Sequence, residues 1–289
     1  MSRQLKADLS LILVTMVWGA SFPIMSIAFK SIPPYSFIAI RFLLSSLIIG
    51  IIFIKSFKNI NKATIIAGIV IGASLGFGSI LQAVGLLYTT PSKSGFITGL
   101  NVIMVPIFIA IIYKKLPDLK ASVGIVLSII GLAVMSLSTG KSTINIGDLL
   151  TFIAAISFAI QILLVDKFAK NIDIALLTCI ELLTVGILSA IPAAAVEGFA
   201  MKLNIFSVGA ILFTAFFCTI FAFGVQNIAQ GYTSPTHTAI IFLAEPVFSA
   251  IFSVLIGDKL TGRTLTGCLF ILFGMLIINI KFQGKEETA

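Results

Sequence analysis

Charge is scarce in this chain. Asp, Glu, Lys and Arg make up 10% of its 289 residues, against about 25% in a soluble domain. With 58% hydrophobic residues, a soluble core has no room for the apolar surface, so lipid is the solvent for most of the chain. Histidine occurs once, as His237, which excludes a multi-histidine metal site. Cys179, Cys218 and Cys268 lie inside apolar runs, and that odd, scattered set offers neither a disulfide framework nor metal-ligand spacing. The basic residues stand mostly alone in short loops, so the formal charge of +8 forms no patch for nucleic acid. A P-loop, a Ser-His-Asp set and paired acids within one span are all missing. Their absence argues against an ATP-driven pump made of this chain alone and against a Mg²⁺-dependent membrane enzyme. No cofactor is expected.

Long apolar runs are abundant. A helix crosses a bilayer with about 20 mainly apolar residues. Ten segments qualify, at 9–29, 35–54, 65–87, 94–113, 121–138, 147–166, 174–196, 206–230, 236–256 and 264–281. The first follows Arg3 and Lys6 but is too long for the apolar core of a secretory signal, so it reads as a retained helix. The fold class is therefore an all-α polytopic membrane protein with no soluble domain. Loops on the side of the N-terminus hold twelve Lys and Arg against six on the other side, with Arg41 set aside as intramembrane. That bias places both termini in the cytoplasm, and the expected location is the cytoplasmic membrane.

The segment YTTPSKSG, Tyr88 to Gly95, returns as YTSPTHTA, Tyr232 to Ala239. Gln82, Tyr88, Thr89 and Pro91 recur as Gln226, Tyr232, Thr233 and Pro235, each 144 positions later. VPIFIAII at 105–112 matches EPVFSAIF at 245–252, Gly124 and Gly131 match Gly267 and Gly274, and Trp18-Gly19 falls opposite Phe158-Ala159. The chain thus divides into a five-helix unit at 1–140 and a second at 141–289. Five is odd, so the second unit enters the membrane from the opposite face. The expectation is ten transmembrane helices as two inverted five-helix repeats, a plan found in many secondary transporters. The two polar hinges then lie at opposite faces, and Tyr88, Pro91, Tyr232 and Pro235 are candidate gate residues.

LVTMVWGASFPIMSIAFK at 13–30, TTPSKSGFITGLNVIMVP at 89–106 and TSPTHTAIIFLAEPVFSAIFSVLIGDKLTGRTLTG at 233–267 resemble the EamA-type members of the drug/metabolite transporter superfamily. The most specific stretch is Glu245-Pro246 followed by Gly257-Asp258-Lys259-Leu260-Thr261. The family usually has Glu where this chain has Asp258, and the first repeat reads KKLPD at the equivalent spot. The resemblance implies a ten-helix carrier with a central cavity formed mainly by spans one, three, four, six, eight and nine. It also implies export of amino acids or related small metabolites, since characterised relatives mostly do this.

Polar groups are costly in lipid, so each intramembrane one needs a reason. Glu245 has two readings. It binds a proton or a substrate amine, or it packs against backbone freed by Pro246, which leaves the Phe242 carbonyl without its usual donor; the packing role is the expected one. Gln82 and Gln226 hold equivalent places in spans three and eight. With Gln161 and Asn101 they can bind a zwitterion or bond between helices. Trp18, Ser21, Phe22, Thr98 and Phe158 complete the candidate substrate cavity. Arg41 and Glu181, 140 positions apart, are expected to snorkel or pair locally near helix ends. His237 is expected to be an ordinary polar hinge residue. The stripe Gly68, Gly72, Gly76 reads as helix packing. Pro23, Pro106 and Pro246 should bend spans one, four and nine, the last two as mates.

The function that follows is a secondary transporter working by alternating access on a small-molecule substrate, with protons as a compatible coupling ion. A passive facilitator is the alternative. The expected unit is a monomer or a weak homodimer in the bilayer.

Overall fold

The computed structural model describes residues 3–89, 91–114, 116–136, 145–255 and 261–279. Every regular element among them is helical. In chain order these are α1 Arg3–Ala28, α2 Pro34–Ile52, α3 Lys62–Gly85, α4 Pro91–Gly99, α5 Asn101–Tyr113, α6 Leu119–Ser136 and α7 Ile146–Phe168. They continue with α8 Ile174–Pro192, α9 Ile205–Ala215, α10 Ala222–Ala229, α11 Pro235–Phe242, α12 Ala244–Leu255 and α13 Gly262–Asn279. Among the described residues, eight helical stretches are long and apolar enough to cross a membrane, and Leu119–Gly131 and Gly262–Ile277 are shorter apolar helices. The lysine at 141, the loop from Gly257 to Leu260 and the junction at 140/141 lie outside the described residues.

Helix starts follow polar caps. Asn61 accepts from the Thr64 amide at the head of α3, and Asp173 accepts from Ala175 and Leu176 at the head of α8. Asn145–Asp148 and Asn204–Ser207 form reciprocal capping boxes. Such caps supply acceptors to amides that have no intrahelical partner. α2 begins at Pro34, and its cap comes from far along the chain: the Glu197 carboxylate accepts from the Tyr35 amide at 2.9 Å and the Ser36 amide at 2.7 Å.

Two helical rods are broken. α4 gives way to α5 at Leu100, and α11 to α12 at Leu243, 143 positions apart. Pro246 accounts for the second break, because its ring denies a donor to the turn before it. α5 runs unbroken through Pro106, and α1 runs through Pro23. The π-helical turn Phe216–Phe221 joins α9 to α10.

Glycines set the helix contacts. On α3, a Cβ at Gly72 would meet the Glu181 carbonyl oxygen at 2.5 Å, and one at Gly68 would meet Ile180 at 2.7 Å. The expected glycine stripe thus carries α8. α6 and α13 touch in the same way. A Cβ at Gly131 would lie 2.6 Å from the Gly267 carbonyl, and one at Gly274 would lie 2.7 Å from the Gly124 carbonyl and would strike Ser128. Since 131 meets 267 while 124 meets 274, the two helices run antiparallel. α2 and α8 are antiparallel as well: Cys179 reaches the Ser46 carbonyl at 3.4 Å, and Gly186 lies on Leu43. Large apolar side chains such as Ile51, Ile111, Ile191 and Phe273 stay exposed and read as a lipid-facing belt.

Gly131→Val should therefore destabilise the protein by about 1–3 kcal/mol, the usual range for overpacking. Gly209→Ala, on α9 with nothing within 4 Å of the added Cβ, should not. Thermal unfolding in one detergent compares them.

Candidate functional site

A cavity of about 90 Å³ lies among the helices. From α1 it takes Trp18, Ser21, Phe22 and Met25, and from α2 it takes Ile38, Arg41 and Phe42. α3 adds Leu75, Ser79 and Gln82, and α7 adds Phe158, Gln161 and Ile162. The broken rods complete the wall: Thr98 and Phe242 come from the ends of α4 and α11, and Asn101 and Glu245 from the starts of α5 and α12. Phe223 of α10 closes it. By the same measure a single water needs about 10–15 Å³, so the space suits a small solute.

Of the ten candidate cavity residues, Trp18, Ser21, Phe22, Gln82, Thr98, Asn101, Phe158, Gln161 and Glu245 share this wall. Gln226 does not. It is fully buried behind Gln161, donating to Gln161 Oε1 at 3.0 Å and Gln230 Oε1 at 2.8 Å. The gate candidates lie in and around the hinges. Tyr88 and Tyr232 are exposed and do not plug the cavity, and Pro91 and Pro235 begin α4 and α11. His237 is buried in the first turn of α11, not loose in a loop.

Span two, which the resemblance left out, enters the wall through Arg41. Neither Arg41 nor Glu181 snorkels: they are 6% and 0% exposed. The π-helical turn explains how a guanidinium is held there. The wider register redirects carbonyls that an α-helix would use internally. The Cys218 carbonyl accepts from Arg41 Nη2 at 2.9 Å and from Trp18 Nε1 at 3.0 Å. Thr219 Oγ1 accepts from Arg41 Nε at 2.6 Å and donates to the Thr214 carbonyl, five residues back, at 2.8 Å. The guanidinium also lies 5.0 Å from the Phe42 ring centre, within cation–π range. Arg41 has five N–H groups, and these bonds leave some of them directed elsewhere.

Glu181 sits behind the wall among amides. Gln161 Nε2 donates to it at 3.1 Å and Asn227 Nδ2 at 2.8 Å. Gln230 Nε2 in turn donates to the Ile162 carbonyl at 2.9 Å. This chain of bonds orients Gln161 at the cavity surface. On the other side, Gln82 Nε2 donates to Thr98 Oγ1 at 2.9 Å.

Glu245 differs from the packing role expected of it. Among the described residues its carboxyl group has neither a hydrogen-bond nor an ion-pair partner within bonding distance. Arg41 and Glu245 face the same cavity without pairing with each other. Asn101 Oδ1, buried at the other helix break, is likewise without a partner. Trp18 stacks edge-on against Phe242 with ring centres 5.0 Å apart, and lies 5.4 Å from Phe223. The wall is thus aromatic with a few polar groups of both signs, as small-molecule sites commonly are.

The EamA-like transporter family profile matches residues 5–137 and again 145–280. An uncharacterized transporter of Archaeoglobus fulgidus is 33% identical over 282 residues, covering 96% of this chain and 87% of that protein. A protein of Salmonella typhimurium described as a "probable amino-acid metabolite efflux pump" is 24% identical, with 96% of each chain covered. A solved crystal structure superposes with a TM-score of 0.77 at 16% identity, covering 94% of this chain and 96% of that one. That likeness shows the fold alone.

Arg41→Lys keeps the charge but not the fork that bridges Cys218 and Thr219. It should cost about 2 kcal/mol, the range for hydrogen bonds to charged groups, while Trp18→Phe, which removes one neutral donor, should cost about 1 kcal/mol. Thermal unfolding in detergent ranks the two.

Proposed function

The chain belongs to the EamA-like transporter family, and we propose that it is an alternating-access carrier for small zwitterionic metabolites, amino acids first among them. The observation that carries this reading is the pairing of Arg41 and Glu245 around one cavity with no bond between them. A zwitterion brings a carboxylate to the guanidinium and an ammonium to the carboxyl. Neither protein charge then needs the other, and the ligand offsets both desolvation costs. The aromatic wall of Trp18, Phe22, Phe158, Phe223 and Phe242 suits an apolar side chain. The Salmonella relative's description as an amino-acid metabolite efflux pump supports the same cargo and the outward direction.

The mechanism rests on two inverted repeats, 1–140 and 141–289, giving ten spans with both termini in the cytoplasm of a cell whose cytoplasmic membrane holds the protein. Several contacts support that plan because they repeat when the halves are exchanged. The antiparallel pair α6–α13 joins span five to span ten, and α2–α8 joins span two to span seven. Ser74 Oγ donates to the Ser157 carbonyl at 2.8 Å, and its mate Cys218 Sγ reaches the Val17 carbonyl at 3.2 Å. The wall itself comes largely in mates: Trp18 with Phe158, Ser21 with Gln161, Phe22 with Ile162, Ser79 with Phe223, and Thr98 with Phe242. A cavity on the pseudo-twofold axis can open to either face by equivalent motions.

Labelled amino acid loaded into proteoliposomes should show saturable counterflow, and Glu245→Gln should raise the half-saturating concentration at least about tenfold, as loss of one buried charge contact of about 1.4 kcal/mol or more would do. An imposed pH gradient in the same vesicles reads proton coupling. Unsaturable flux without counterflow would favour a facilitator.

A further inference from the structure

Matching positions of the cavity wall differ in one consistent way. On α3 and α4 the wall carries Ser79 and Thr98, and 144 positions later, on α10 and α11, it carries Phe223 and Phe242. Gln82 of α3 also lines the cavity, whereas its counterpart Gln226 is buried behind the wall and bonded to Gln161 and Gln230. The first half of the chain therefore gives the cavity a polar flank where the second half gives it an aromatic one. Trp18 extends the aromatic flank through its ring contacts with Phe223 and Phe242.

The polar flank keeps hydrogen-bonding capacity in hand. Ser79 and Gln82 are three residues apart, so they share a face of α3. Among the described residues, the Ser79 hydroxyl has no hydrogen-bond partner. Gln82 meets Thr98 Oγ1 at 2.9 Å with one end of its amide, and the other end has no partner among the described residues. Ser21, by contrast, is committed to the Trp18 carbonyl of its own helix at 2.7 Å. The flank is also held in place. Ser74 Oγ donates to the Ser157 carbonyl at 2.8 Å and Ser157 Oγ to the Ser74 carbonyl at 2.9 Å, which clamps α3 to α7 just before Ser79. A Cβ on Gly78 would lie 2.7 Å from the Phe158 ring, so the two helices are in contact beside Ser79 as well. A polar specificity contact needs this kind of support. Among the described residues, Arg41 and Glu245 are the charged groups of the wall, and a zwitterion's carboxylate and ammonium engage both. A third charge on the solute would be buried without a partner.

We propose that Ser79 and Gln82 form a side-chain subsite that hydrogen-bonds a hydroxyl or carboxamide, so that the carrier selects amino acids with a polar, uncharged side chain over apolar ones of similar size. This rests on the zwitterion-carrier reading and names the subclass of its cargo. The apolar stem of such a side chain lies on the aromatic flank, and its polar end reaches α3. An apolar side chain fills the same space but covers Ser79 and Gln82 and leaves them unpaired. A site built to bond a hydroxyl rejects the analogue that lacks it for this reason.

Threonine and valine are the test pair, because they differ by a hydroxyl in place of a methyl group. Asparagine and leucine, similar in shape, read the carboxamide. Counterflow of labelled threonine and of labelled valine is measured in proteoliposomes, with all four amino acids as unlabelled competitors. Threonine should half-inhibit at a concentration at least about tenfold below that of valine, and asparagine likewise against leucine, the factor for one satisfied against one unsatisfied polar contact. Ser79→Ala and Gln82→Leu should each shrink these ratios at least about threefold, and Ser79→Thr, which keeps a hydroxyl, should retain them. A substitution that merely weakened the fold would lower transport without moving the ratios. Saturable counterflow with ratios near one in both pairs, a preference for valine, or ratios that neither Ser79→Ala nor Gln82→Leu moves would overturn the subsite. Absence of counterflow and of competition with all four amino acids would overturn the zwitterion reading itself.

Discussion

A guanidinium inside an apolar bundle survives only where acceptors have been released for it, and here the π-helical turn at Phe216–Phe221 releases them. Arg41 is bound by the Cys218 carbonyl and by Thr219, and the same carbonyl holds the indole of Trp18. One irregular turn between α9 and α10 therefore fixes a cation from α2 and an aromatic from α1 at the same wall. In lipid there is no water to satisfy stray polar groups, so an irregular backbone is tolerated where it is buried in protein or lines a cavity. The two helix breaks obey the same rule. Asn101 and Glu245 each start a helix at the cavity surface, where the first amides of a helix have no partner inside it.

The remaining polar groups separate into those that bind helices together and those left open. Glu181 accepts from Asn227, whose amide also donates to Thr178, Gln226 donates to Gln230, and Gln230 donates to the Ile162 carbonyl, while the side-chain oxygens of Gln226 and Asn227 stay without a partner among the described residues. These bonds tie α7, α8 and α10 together. Asn101 Oδ1 and the Glu245 carboxyl are open. A transporter needs both kinds, since a wall that rearranged under each ligand would lose its specificity and a wall with every group paired would have nothing to offer a solute.

The apolar runs marked out the spans because hydropathy and length are dictated by the bilayer. Caps at Asn61, Asn145, Asp173 and Asn204 lie where short polar side chains interrupt those runs. Depth was legible, but facing was not. Arg41 read as a snorkelling residue because its position along the helix says nothing about which side of the helix meets the bundle, and the acceptors that hold it belong to a turn whose π register carries no Gly or Pro signal. The break at Leu100 follows Gly99, a residue tolerated inside helices that does not by itself announce a break. Gln82 and Gln226 occupy matching positions yet differ, because their neighbours do. Gln161 is long enough to accept from Gln226, whereas its mate Ser21 bonds its own helix at the Trp18 carbonyl, which leaves Gln82 for Thr98. A repeat preserves the backbone plan more faithfully than the bonds built on it.

The proposed mechanism ties these features to one pocket shared by two oppositely directed units that take turns in closing it. The most direct measurement is a pair of spin-label distances in the same liposome-reconstituted protein, one across each mouth, from exposed Tyr88 to Ile146 and from exposed Tyr232 to Lys6, with and without amino acid. The account predicts that the two distances change in opposite senses as the substrate shifts the population. Distances that lengthen and shorten together, or that stay fixed while transport proceeds, would contradict it.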